Sequence, residues 1–161
     1  MRTAGIKIVR TPYEEPYHLH LWIEASNGSV NGRLEYYSNS KDLKHLGTNL
    51  QNYAGDKSQS VFYELGSEDP KKRSSCYLRI KVALIDSAGH SAITFRFNNN
   101  CIPPAGEISE FSIPLVVADV NRLGSLFVGF SELEHLVLFW SITDGKLFKT
   151  EQDFEVFVES P

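Results

Sequence analysis

The chain has 161 residues, 42% hydrophobic and 22% charged, which is enough to bury a core without disulfide or metal staples. Its 16 lysines and arginines against 20 aspartates and glutamates leave a formal net charge of -4, which argues against general nucleic-acid binding, because that rests on neutralising phosphates. The longest apolar runs, "LVLFW" and "IPLVVA", are too short to cross a bilayer and "MRTAGIKIVR" has no apolar signal region, so a cytoplasmic protein with no membrane partner is expected.

In chain order, "IKIVR" reads as a first strand. In "YHLHLWIEASNGSVNGRLEYY", Leu19, Leu21, Ile23 and Ala25 alternate with His18, His20, Trp22 and Glu24, the period of a half-buried strand. Asn27-Gly28 suits the centre of a type I′ turn. Folding about it sets Leu21 against Leu34 on the buried face, and on the other face Glu24 against Asn31, Trp22 against Arg33, His20 against Glu35 and His18 against Tyr37. "DLKHLGTNLQNY" then places Leu43, Leu46, Leu50 and Tyr53 on one helical stripe.

"SVFYEL" reads as a strand and "GSEDPKKRSS" as a charged loop. "CYLRIKVALIDSAGHSAITFRFNNNC" folds about Ala88-Gly89, pairing Leu84 with Ile93, Val82 with Phe95 and Ile80 with Phe97. A regular hairpin would bring Cys76 opposite Cys101, and two free thiols are the alternative in a reducing compartment. After the strand "EISEFSIPLV", "DVNRLGSLFVGF" carries Val120, Leu123, Phe127 and Phe130 on one stripe. "LVLFWSI" reads as a buried strand, "TDGK" as a turn and "DFEVFVE" as an edge strand.

The two helical stretches share aspartate, leucine and glycine positions, with Gly47 and Gly124 equivalent, which suggests a close backbone approach to a sheet. The expectation is one α+β domain over residues 1–161, mainly an antiparallel sheet with two helices on one face. An internal strand–strand–helix duplication would relate residues 17–53 to 76–130.

No fingerprint for chemistry emerges. His18-x-His20 with Glu24 or Glu35 could supply the three protein ligands of a catalytic zinc, but the sequence has no HExxH and no aspartate-rich loop, and an HxH pair by itself is a weak signal. Asp86, His90 and Ser91 suggest a triad, but neighbours in one tight loop rarely converge on a substrate. No catalytic residue, metal or cofactor is assigned. What remains is a face: His20, Trp22, Glu24, Arg33, Glu35 and Tyr37, joined by Arg79 and Arg96, are partner-binding candidates, since aromatic and arginine side chains concentrate interface energy.

In length, acidity and its hairpin "LIDSAGHSAITFRF", the chain resembles the small immunity proteins of bacterial toxin–immunity systems. The resemblance implies a non-catalytic inhibitor that binds a cognate toxin domain, often basic, by stoichiometric contact. The alternatives are a homodimer assembled through the same face or the "DFEVFVE" edge, and a small-ligand binder or enzyme with a cleft between the two repeats.

Overall fold

The alternation around Leu21 does form a strand, and its apolar members are buried to the last residue. The computed structural model describes residues 3–160. Its elements run β1 (Ala4–Glu14), β2 (His18–Asn27), β3 (Asn31–Ser38), α1 (Ser40–Gln51), β4 (Ser60–Gly66), β5 (Tyr77–Leu84), β6 (Ser91–Asn98), β7 (Ile108–Leu115), α2 (Val117–Ser131), β8 (Val137–Ser141), β9 (Gly145–Phe148) and α3 (Glu151–Glu159). The fold is α+β and its sheets are antiparallel, in the order β3-β2-β1-β8-β9 and β4-β5-β6-β7. The strands therefore divide between two sheets, where the sequence suggested one.

Both hairpins keep the expected faces but move in register by two residues. In the first, Leu21 pairs with Tyr36, Trp22 with Glu35, His20 with Tyr37 and Glu24 with Arg33. The cause is the turn. Gly28 takes φ 92° while Asn27 stays in the ladder, donating its N–H to the Val30 carbonyl and capping the Ser29 and Val30 amides with its side chain. Gly28-Ser29 is thus the centre, with glycine first, as in a type II′ turn.

The second hairpin moves the other way, pairing Val82 with Ile93 and Ile80 with Phe95. Asp86 accepts from the Ala88 and His90 amides, and Ile85 closes on His90, so the loop is centred one residue earlier than expected. Because strand side chains alternate with period 2, a two-residue shift leaves every side chain on its face. It does separate the cysteines: Tyr77 now pairs with Asn98, Cys76 is buried, Cys101 is exposed, and both thiols are free. Burial raises the Cys76 thiol above its ordinary pKa.

One core joins everything. Leu19, Leu21 and Ile23 of the first sheet, Ile80, Val82 and Phe95 of the second, Leu43, Leu46 and Leu50 of α1, and Val120, Leu123 and Phe127 of α2 belong to a single buried cluster. Gly47 and Gly124 approach a backbone closely, but it is each other's helix and not a sheet. A Cβ on Gly124 would lie 2.7 Å from the Gly47 carbonyl oxygen, and one on Gly47 would lie 2.7 Å from the Val128 nitrogen. Asn121 on α2 reinforces this crossing, donating to the carbonyls of Leu50, Gln51 and Tyr53 at 3.0, 3.0 and 2.9 Å at and just past the C-terminal end of α1.

"DFEVFVE" is helix α3, not an edge strand. Thr150 accepts from the Asp153 amide while the Asp153 carboxylate accepts from the Thr150 amide, each at 3.1 Å, a reciprocal N-terminal cap. Phe154 and Phe157, three residues apart, then fall together onto Phe139 and Phe148, with ring centroids 5.2–5.8 Å apart. These rings cover the outer side of β8 and β9, where Val9, Val137 and Phe148 form a second small core.

Two outcomes follow from this packing. Gly124→Ala would ordinarily gain about 1 kcal/mol of helix propensity. Here the methyl group meets backbone, so unfolding stability should instead fall by about 1–2 kcal/mol, read as a lower urea midpoint at unchanged m-value. An unchanged or raised midpoint would show that the helices do not touch there. Burial is also the leading cause that raises the Tyr36 and Tyr63 hydroxyls above 10.0. Their unfolded forms ionise first, so stability contributed by the neutral phenols is present below that value and lost as pH rises above it. Tyr36→Phe should flatten this alkaline loss; an identical pH profile in the variant would contradict it.

Candidate functional site

The inner faces of both sheets are turned into the core with α1 and α2, so the outer faces point away from them. On the first sheet, α3 takes the β8–β9 half of that outer face, and the β2–β3 half remains open. Six of the eight residues picked out from the sequence meet on this open half: His20, Trp22 and Glu24 on β2, and Arg33, Glu35 and Tyr37 on β3.

The observed register gives them new neighbours. The His20 ring stacks on Tyr37, centroids 5.0 Å apart and planes 21° apart, and its Nε2 meets the Glu35 carboxylate. Tyr13, from the irregular end of β1, lies 6.1 Å from the Tyr37 ring, and nothing in the sequence patterning singled it out. Trp22 lies two residues from His20 along the strand, about 7 Å at the rise of a β-strand. The expected pairing of Trp22 with Arg33 does not form, because Arg33 stands opposite Glu24 and Trp22 opposite Glu35.

Tyr13, Tyr37 and Trp22 remain 62%, 57% and 40% exposed, which is a large aromatic area for bare solvent. The other tryptophan, Trp140, is fully buried. Beside the row, where β3 meets β7, two cavities of about 620 and 260 Å³ open. Both are walled by Trp22, Arg33 and Glu107, and Ser109 joins the sheets there by donating to the Asn31 carbonyl at 3.0 Å.

Arg79 and Arg96 belong elsewhere. They face each other across β5 and β6 on the second sheet, a like-charge pairing that is unfavourable unless compensated. Glu110 bridges them at 3.2 and 2.8 Å, and Glu68 accepts from Arg96 at 3.0 Å and from Asn98 at 2.8 Å. Arg96 accordingly holds the Glu68 carboxyl below its ordinary value, and Glu68 in turn raises the Arg96 guanidinium. These arginines serve an ion-pair network that ties β5, β6, β7 and the loop after β4 together.

The loop residues considered as a triad also separate. His90 Nδ1 meets Asp86 Oδ2 at 2.6 Å, and this contact leads the causes that hold the Asp86 carboxyl below its ordinary value. Ser91 is buried, and its hydroxyl pairs with Tyr53 at 2.9 Å. Among the described residues, no three histidine, cysteine or acidic side chains group as metal ligands. No helix among the described residues is long and apolar enough to cross a membrane. Arg10 was not anticipated at all: it is buried and donates to the Leu133 and His135 carbonyls at 2.8 and 3.0 Å while pairing with Glu15, which anchors β1 to the loop before β8.

No protein-family model and no curated protein matches the chain. Solved structures similar to it include the plant transcriptional regulator PBF-2, at 9% identity and a TM-score of 0.46 over 80% of this chain and 76% of that one, and WHY3 from Arabidopsis thaliana, at 11% identity and a TM-score of 0.44 over 81% of this chain and 83% of that one. They correct the sequence reading. A transcriptional regulator stands among the similar structures and nothing there speaks of immunity proteins, so the bacterial toxin inhibitor and the exclusion of nucleic acid are both withdrawn.

Proposed function

We propose that the protein binds single-stranded nucleic acid, without turnover of its own, on the open half of the first sheet. The observation that supports this reading is the exposed aromatic row of Tyr13, Tyr37, His20 and Trp22. Flat rings presented side by side on a sheet suit unstacked bases, each of which contributes about 1–3 kcal/mol by stacking on an aromatic side chain. A duplex keeps its base faces inside the stack, so the row has nothing to offer it.

The net charge of -4 is compatible with this mode of binding. Of the 20 acidic residues, four lie on α3, which carries no lysine or arginine, so the rest of the chain balances 16 acids against 16 bases. Binding then rests on stacking more than on phosphate neutralisation, and its affinity should fall only shallowly with added salt.

Trp22 supplies its own reporter, since Trp140 is shielded. Titration with a short oligothymidylate should quench the accessible tryptophan to saturation. Tyr37→Ala should weaken binding about tenfold. Phe62→Ala, which removes an aromatic ring that is 54% exposed on the second sheet, should leave binding unchanged. Trp22→Ala, a substitution at a half-exposed position, should shift stability by no more than about 0.5 kcal/mol. Absence of quenching at low salt, or equal competition by a duplex of matching sequence, would overturn the proposal.

A further inference from the structure

We propose that the groove beside the aromatic row is a base-selective pocket that receives guanine from the bound strand; the inference rests on the single-strand reading above. Three side chains wall both cavities: Trp22, Arg33 and Glu107. The larger, at about 620 Å³, falls within the range of small-ligand sites, roughly 300–1,000 Å³. It lies at the Trp22 end of the row, so a strand stacked on Tyr37 and Trp22 delivers its next base there.

Two charged side chains of this groove are unspent, those of Arg33 and Glu107. Arg10, Arg79, Arg96 and Arg122 each have a carboxylate partner. Among the described residues, the guanidinium of Arg33 and the carboxylate of Glu107 make no hydrogen bond or ion pair, although both border the same two cavities. They do not pair with each other, so the groove offers the donors of Arg33 and the acceptors of Glu107 beside the Trp22 side chain.

Base chemistry selects the occupant. A carboxylate offers two parallel acceptors. On the Watson–Crick edge, guanine alone presents two adjacent donors, the N1–H and the 2-amino group. Cytosine and adenine place one amino group beside a ring-nitrogen acceptor, and thymine flanks its single N–H with carbonyls, so each would set an acceptor against a carboxylate oxygen. Guanine also carries acceptors at O6 and N7, the pair that arginine recognises. Single-strand recognition commonly combines an aromatic stack with such edge contacts.

The experiment compares short oligothymidylates that carry one central guanine, hypoxanthine, cytosine or adenine, each titrated against the full chain and against Glu107→Gln. The guanine strand should bind about tenfold more tightly than plain oligothymidylate, as a bidentate contact predicts. Hypoxanthine, which lacks the 2-amino group, should lose most of that advantage. Glu107→Gln should abolish it without weakening affinity for oligothymidylate, because Glu107 is exposed and only its backbone, not its carboxylate, hydrogen-bonds within the described residues. Equal affinity for all strands, or an advantage for cytosine or adenine, overturns the guanine pocket and leaves single-strand binding standing. Failure of every strand to bind overturns both.

Discussion

The contact between the backbones of α1 and α2 at Gly47 and Gly124 sets the geometry of the rest. With no side chain on either helix at this point, the carbonyl oxygen of each glycine lies only 2.7–2.9 Å from where the Cβ of the other would be. The helices can therefore share one layer of core with the inner faces of both sheets, and Leu50, Phe127, Ile23 and Phe95 meet in a single cluster. Wider spacing would leave voids between the helices and the sheets, and close-packed interiors tolerate these poorly. Asn121 holds the same crossing from the polar side by capping the end of α1.

Once the apolar sides of two sheets and two helices are committed to that core, the outer sheet faces must be filled by polar groups, covered, or used. The second sheet fills its outer face with a compensated network of Arg79, Arg96, Glu110 and Glu68. The first sheet is covered on one half by the phenylalanines of α3, with Lys7 over the Phe154 ring at 4.5 Å. Its other half shows Tyr37, Trp22 and Arg33 to solvent. The functional proposal rests on this contrast within one molecule: the second sheet shows a charged network with the exposed ring of Phe62, α3 covers half of the first, and the remaining half carries a row of aromatic side chains.

Much of this was legible in the sequence because strand and helix periods are robust to local error. Both hairpins slipped by two residues from the register read off Asn27-Gly28 and Ala88-Gly89, yet Leu21 and Val82 are buried and Trp22 faces outward as expected. What failed depends on non-local or ambiguous signals. "DFEVFVE" alternates like a strand, and only Thr150 with Asp153 marks its helical cap. The division into two sheets depends on which strands pair across long separations, such as β1 with β8. Tyr13 escaped notice because it lies beyond the regular part of β1. The charge-based exclusion of nucleic acid averaged over the whole chain a surplus of acid that α3 alone accounts for.

Photo-crosslinking of a bound oligothymidylate, followed by mass-spectrometric mapping of the adducts, tests the central claim most directly, because it reports where the strand lies. Adducts concentrated on Tyr13, Tyr37 and Trp22 are the expected result. Adducts on the outer face of the second sheet, around Phe62 and Tyr77, or scattered over the surface without preference for the aromatic row, would contradict it.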